Sequence, residues 1–453
     1  RATTRHRGDR VEAAAGPVVT VGAYRWAATA GWRNRALLGV SDQLVNSGTN
    51  FLVTFLAARW LDVGQFGALV VALAVVYGVI GLQRAIIGDP LVVHASAMPS
   101  DARKQVIGDA TMAAFWLGLL ASLAVVLLWV TGIPVLRELV WFAPWLPMVL
   151  VHEAGRYGFL SEQRPGQALI TGLVWAAVQT AGFIIMWLTG DVGVPAIVAS
   201  WGAGALAGAG ISFILARRSP LRGQARRWFR QSRHLSGWFL PTAVVDQVQN
   251  QSVVILVGAL LSLAAAGGLR ATQLIILQPA QTLMVALTAL IVPWVTRTNA
   301  TDGLAALHVR VRRLGRYFAV AGGAILLCIP FREPLLQIVF PRLTVYQDLV
   351  PPTAVMAMLL IAVVPYDAEL RGLREVRHLF VVRTVATSLT FAGVIAGAGI
   401  GSLVVITWTL ALSSLMFYCG VRFRCSRVVG AGQAHDGDRA PPGPVRRSRP
   451  TTG

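Results

Sequence analysis

The stretch from Ser41 to Leu61, SDQLVNSGTNFLVTFLAARWL, decides the reading of this chain. From Phe51 onward it is the apolar run of a helix that suits lipid, yet the turns before Phe51 carry an aspartate, a glutamine and two asparagines. At about 100° per residue, Asp42, Asn46 and Asn50 fall in one narrow arc of a helix. Gln43 and Ser47 widen that arc to less than half the circumference, while Leu44, Phe51, Leu52 and Phe55 fill the other side. A second stretch, VDQVQNQS at Val245–Ser252, repeats the Asp-Gln-x-x-Asn pattern and draws the same arc with Asp246, Gln247, Asn250 and Gln251. A charge at the centre of a lipid-embedded helix costs about 2.5–3.5 kcal/mol on insertion scales. Both stripes are therefore expected to line a water-filled cavity; the plainer alternative is interhelical hydrogen bonding that only glues a bundle.

Composition sets the surroundings of these stripes. The chain has 453 residues, is 55% hydrophobic and only 13% charged, against about 25% charged in soluble globular proteins. Its mean hydropathy is +0.62. Apolar runs of about twenty residues cross a bilayer as helices, and the backbone must satisfy its own hydrogen bonds there. Unbroken runs of that length lack the alternation of a barrel strand. The expected fold class is an all-α polytopic membrane protein. The net charge of +20 is nearly all arginine, with Lys104 as the one lysine. It falls between apolar spans, which assigns it to orientation and to anionic lipid headgroups rather than to nucleic acid. Cys328, Cys419 and Cys425 form no disulfide framework and read as small buried hydrophobes.

Twelve candidate spans follow, at 37–59, 66–87, 106–131, 137–157, 166–189, 194–215, 237–262, 269–295, 314–331, 349–367, 376–397 and 401–422. The arginines alternate with this count. Arg217, Arg218, Arg222, Arg226, Arg227, Arg230 and Arg233 crowd the loop after the sixth span, whereas LDVGQ, TGDVGVP, SLAAAGG and GAGIG on the other side contain none. The positive-inside rule then puts both termini in the cytoplasm, in a plasma (inner) membrane. Residues 332–348 are an uncertain piece, re-entrant or interfacial. The expected organisation is a basic, disordered tail at 1–36, a first six-helix lobe at 37–216, a basic linker at 217–236, a second lobe at 237–422 and a disordered basic tail at 423–453. The polar stripes open the first and seventh spans, and Pro90 and Pro293 follow at nearly equal distances, which is a parallel repeat about an axis along the membrane normal. A central cavity would lie between the lobes, complete within one chain, so a monomer is expected.

The sequence resembles the polysaccharide flippase branch of the multidrug, oligosaccharidyl-lipid and polysaccharide exporter superfamily. LGVSDQLVNSGTNFLVTFLAARWLDVGQFGALVVAL carries the likeness best, with its polar-faced first helix, its AR-L turn and the FG that opens the second helix. LRATQLIILQPAQTLMVALTALIVP is similar to the eighth helix of that family, and GRYGFLSEQRPGQALITGLVW to the junction of its fourth and fifth. The likeness spans roughly 37–420. It implies alternating access and movement of a saccharide on a polyprenyl diphosphate from the inner to the outer leaflet. Many exporters of the branch have fourteen spans rather than twelve, which leaves open a cation-coupled multidrug or metabolite exporter of the same architecture.

A diphosphate calls for arginine, whose forked donors suit phosphate. Arg84 and Arg156, near the cytoplasmic ends of the second and fourth spans, and Arg270, opening the eighth, are candidate diphosphate-binding residues; each alternatively snorkels to lipid headgroups. Asp42 would repel a diphosphate. It is expected to pair with Arg84, or with Glu153 and Asp246 to bind the proton or sodium ion that couples transport; a plain structural ion pair is the alternative. Asp42→Asn and Asp246→Asn are accordingly expected to impair transport more than folding.

HEAGR at His152–Arg156 lacks the second histidine of a zinc helix, so no metal is expected. The small-residue stretches at 202–210 and 393–401 follow no strand and read as close helix packing. There is no phosphate-binding loop, so no nucleotide or other cofactor is expected and the chain cannot be its own ATPase. A membrane glycosyltransferase or ligase would need a large outer loop bearing acids or histidines, and none of the outer loops is long enough; the protein is not expected to be an enzyme.

Overall fold

The computed structural model of the chain describes residues 30–96, 98–216, 223–373 and 375–437, and among these there is no strand. The helices of the first half are α1 (Ala30–Trp60), α2 (Val63–Gln83), α3 (Asp89–Ser96), α4 (Ser100–Val130), α5 (Leu146–Ser161), α6 (Pro165–Thr189) and α7 (Val194–Ala216). Those of the second half are α8 (Ala225–Leu260), α9 (Leu263–Thr272), α10 (Gln278–Gly323), α11 (Arg332–Val339), α12 (Val350–Gly372), α13 (Val376–Ile400) and α14 (Leu403–Gly437). Single π-helical turns, Arg84–Gly88 and Gln273–Leu277, join α2 to α3 and α9 to α10. Such bulges loosen the backbone ladder and often mark functional sites.

Eight helical stretches among the described residues are long and apolar enough to cross a bilayer, and up to ten if each of two bent pairs is one span. The expectation of twelve adds two more, at 37–59 and 269–295. In α1 the apolar run is diluted by the polar stripe at its start. The 46-residue α10 breaks at Gly303, whose φ of 80° and ψ of 170° only glycine adopts freely, so its two arms turn back on one another. The fold is inside-out, as lipid requires. Leu120, Leu127, Trp116 and Val130 of α4 stand exposed, while alanines and glycines fill the contacts between helices. Cys425 is buried, but Cys328 is only half-buried and Cys419 is exposed, so the three are not uniformly interior.

We call the end of the bundle that carries residues 223–236 the linker end, and the opposite end, which carries Asp62 and Ser262, the distal end. Side chains of these two residues cap α2 and α9, accepting from the backbone N–H groups of Gln65 and Ala265. The halves meet tightly here. A Cβ on Gly67 would collide with the backbone carbonyl of Leu263, so only glycine lets α2 and α9 cross so closely. The segment 332–348 lies over this junction as α11 and a 3-10 turn, Pro341–Leu349. Phe340 is fully buried against Phe55, and Arg342 donates to the carbonyls of Trp60 and Leu61 at the end of α1. One hydrophobic core runs through the first half and across this junction, whereas the linker end of the second half has a separate small core around Val295, Val311, Val364 and Val421.

Two expected disordered or linking segments are helical in part. α14 continues past residue 423 to Gly437, held by buried Cys425 and by an ion pair from Arg424 to Glu375 at 3.2 Å. The linker becomes helix at Ala225 and runs unbroken into α8. Its first turns are fastened to the first half. Asp109 of α4, itself buried, accepts from the backbone N–H of Gln224 at 2.7 Å and faces Arg227 at 3.4 Å. Trp228 is fully buried, and Ser236 donates to the carbonyl of Ile86 in the π turn. Residues 1–29, 217–222 and 438–453 lie outside the described residues.

Candidate functional site

The polar stripe of α1 divides between two environments. The eight steps from Asp42 to Asn50 rotate a helix face by roughly 80° beyond full turns, which is enough to aim its two ends at different neighbours. Asp42 turns into the first half. It is 4% exposed and its Oδ2 lies 2.6 Å from Arg156 of α5. Arg156 also meets Glu153, one turn back on the same helix, at 2.9 Å, and Glu153 meets Arg84 of the π turn at 3.2 Å. Two arginines and two carboxylates thus alternate in one chain, neutral as a set, and Arg84 is its one partly exposed member, at 38%. The partner of Asp42 is therefore Arg156, not Arg84. The i, i+3 spacing on α5 sets Glu153 beside Arg156, and Asp42 completes the arginine from the neighbouring helix. Both terminal nitrogens of Arg156 are engaged by carboxylates, and its Nε is buried without a partner among the described residues.

Asn50, at the other end of the stripe, faces the second half. Its Oδ1 accepts from the hydroxyl of Tyr77 on α2 at 3.2 Å. Tyr77, Thr54, Gln251 of α8 and Arg270 of α9 line one small cavity between the halves, closed on its other sides by Val70, Leu73, Ala74 and Val254. Arg270 makes no ion pair with a carboxylate among the described residues. Gln247 lies one turn away, its amide packed on Gly81 of α2 where a Cβ would leave it no room. Gln43 and Asn46 are half-buried on α1. The side chains of Asp246 and Asn250 lie outside the described residues. The cavity holds about 10 Å³, no more than one water, so this conformation keeps the polar groups collapsed on one another.

Four contributors escaped the sequence reading. Tyr77 and Thr54 are lone hydroxyls in apolar runs, and only their neighbours show what they serve. Gln179 of α6 ties Trp175 to the carbonyl of Thr49. Asp109, an acid three residues into an apolar run, was the one legible signal, since an intramembrane carboxylate demands a partner. No group of three or more metal-ligating side chains occurs among the described residues.

Apolar helices from both halves of the chain thus meet around one polar cluster. No protein-family profile matches the sequence, and no curated protein matches it either. The fold does match solved structures. The inward closed form of the lipid II flippase MurJ aligns with a TM-score of 0.69 at 10% identity, covering 86% of this chain and 87% of that one. An inward-facing multidrug resistance MATE family transporter of the MOP superfamily aligns at 0.68 and 12% identity, over 87% and 99%. A MOP superfamily transporter from Pyrococcus furiosus aligns at 0.60 and 11%, over 86% and 94%. The chain has the fold of multidrug/oligosaccharidyl-lipid/polysaccharide transporters, and it is a multi-pass membrane protein.

Proposed function

We propose that the protein is a secondary transporter that carries a lipid-linked oligosaccharide or polysaccharide precursor, on a polyprenyl diphosphate, across the membrane by alternating access. The observation that carries this reading is Arg270. A guanidinium placed between the halves with no carboxylate beside it among the described residues is a poor site for a cationic drug and a good one for a phosphate. Tyr77, Asn50, Gln247 and Gln251 add neutral donors and acceptors of the kind that bind sugar hydroxyls. Arg84, half-free of Glu153, is a second candidate for the diphosphate on the linker side. Asp42 and Glu153 serve as the ion-coupling pair, with Asp246 as their counterpart in the second half, and H+ or Na+ as the coupling ion. Both termini and the linker end face the cytoplasm, and the protein works as a monomer beside anionic lipids.

A second reading, export of amphipathic organic compounds coupled to a cation, is favoured by the intramembrane carboxylates of the first half. Liposomes containing the purified protein and a lipid-linked oligosaccharide separate the two. Access of an added lectin or glycosidase to the sugar, dependent on an ion gradient and lost in Arg270→Ala, supports the flippase. No movement of such lipids, together with uptake of cationic dyes, overturns it.

A further inference from the structure

The segment 332–348, a strap between α10 and α12, has no part in the reading above. It is two-faced. Leu336, Phe340 and Leu343 are buried, whereas Ile338 and Val345 stand out from the surface. Its buried side holds an element from each half. Phe340 meets Phe55 of α1 with ring centroids 5.6 Å apart. The ring of Tyr346 lies where a Cβ on Gly268 of α9 would fall. Nη1 of Arg342 donates to the carbonyl of Leu61 at 3.0 Å and, at 3.3 Å, to that of Trp60. Both carbonyls lie at the end of α1, where a helix has no further N–H of its own to offer. Arg332 and Asp348, both exposed and 3.1 Å apart, close the strap on itself.

We propose that residues 340–346 form the distal gate of the transporter and that Arg342 is its latch, a positioning residue that touches no cargo and acts through the end of α1. The strap travels with the second half. It runs straight into α12, whose Val350 and Ala354 are fully buried, and Tyr346 keys it to α9. α1 belongs to the first half, so the guanidinium on its negative end ties one half to the other. The place of the tie is what makes it a gate. Thr54 and Arg270 line the cavity between the halves. Phe55, covered by Phe340, is the next residue along α1 toward the distal end, and Gly268, covered by Tyr346, lies two residues from Arg270 in the same direction. The strap therefore sits directly over the distal side of the cavity.

The two contacts with α1 divide the work. Phe340 is an apolar plug in an apolar junction; it excludes water but does little to fix where the strap stands along the helix. The hydrogen bonds of Arg342 are directional and set that register. They also suit a contact that is made and broken. Arg342 is exposed, so water takes over its donors and the two carbonyls when it lets go, and no charge is left buried. An ion pair sunk in the core could not part so easily. The inference rests on the reading of the chain as an alternating-access transporter and is independent of its cargo.

The test needs no substrate. Gln251→Cys is placed in the full chain with its three natural cysteines replaced, and reaction with a membrane-impermeant maleimide is timed from each side of oriented proteoliposomes. In this parent, Arg342→Ala is expected to speed labelling from the distal side by about tenfold, the worth of one charge-assisted hydrogen bond, without raising the linker-side rate. Arg342→Lys keeps a charge and a donor at the helix end and is expected to stay close to the parent. Arg332→Ala breaks only the pair within the strap and is expected to label as the parent does. A distal rate in Arg342→Ala equal to the parent's overturns the latch. A rise from both sides at once is general loosening and overturns it too, as does an equal rise in Arg332→Ala. A parent that already labels equally from both sides removes the gate itself. Sided labelling in a protein that moves no lipid-linked sugar strikes the flippase reading instead and leaves the gate standing.

Discussion

Arg270 and Asp42 are both charged and both set in apolar helices, and the structure assigns them opposite behaviour. Arg270 has no carboxylate to orphan, so Arg270→Ala is expected to leave thermal unfolding in detergent nearly unchanged. It should weaken transport of a diphosphate substrate by the worth of a charge-assisted hydrogen bond, about 1.5–3 kcal/mol, or on the order of tenfold to a hundredfold. Asp42 is a structural partner as well as a candidate for coupling. Asp42→Asn leaves Arg156 and Arg84 sharing one carboxylate in a buried site, and breaking such a pair costs about 3–5 kcal/mol. The sequence led to the expectation that transport would suffer more than folding; the contact with Arg156 predicts a loss of stability as well. Asp42→Asn combined with Arg156→Met restores the balance between Arg84 and Glu153. Unfolding measurements on the single and double variants should show the double recovering most of the lost stability.

At the scale of elements, α8 is where the two halves are mechanically joined. By chain order it opens the second half, yet its first three turns are fixed to the first by Asp109, Trp228 and Ser236. Asp109→Ala strips an acceptor from the Gln224 N–H and a counter-charge from Arg227. The loss of one buried hydrogen bond to a charged group is worth about 1.5–3 kcal/mol. The expected outcome is local rather than global: limited trypsinolysis at Arg226 and Arg230 should accelerate by tenfold or so while the unfolding temperature moves little. Unchanged cleavage would show that Trp228 alone holds the helix down. The crossing of α2 and α9 at Gly67 plays the corresponding part at the distal end, where the two backbones come into contact.

Over the whole molecule, one core spans the two halves at the distal end, while the linker end of the second half has a separate core of its own. In the proposed transport cycle the linker end, where the second half packs on itself, is the end expected to part first. A cysteine introduced by Gln251→Cys, in a protein whose three natural cysteines are replaced, is expected to react with a membrane-impermeant maleimide from the linker side of oriented proteoliposomes and not from the distal side. Equal labelling from both sides would mean that the distal junction opens spontaneously.

The sequence by itself determined the class: a chain with this hydropathy must be a bundle of membrane-crossing helices, because only helices satisfy their own backbone in lipid. It also marked Asn50, Gln247, Gln251 and Arg270 as residues too polar to face lipid, and the structure brings these four to the boundary between the halves. What it could not supply was the partner of each charge. Periodicity places a residue on a helix face but says nothing of which helix that face meets. Asp42 and Asn50 share a stripe, and only the packing of α5 and α2 around α1 sends one into an ion pair and the other to the interface. The same holds for Arg342 and the carbonyl of Leu61, 281 residues apart, and for Asp109 and the linker. Long-range pairing is a property of how helices cross, and tertiary structure alone decides it.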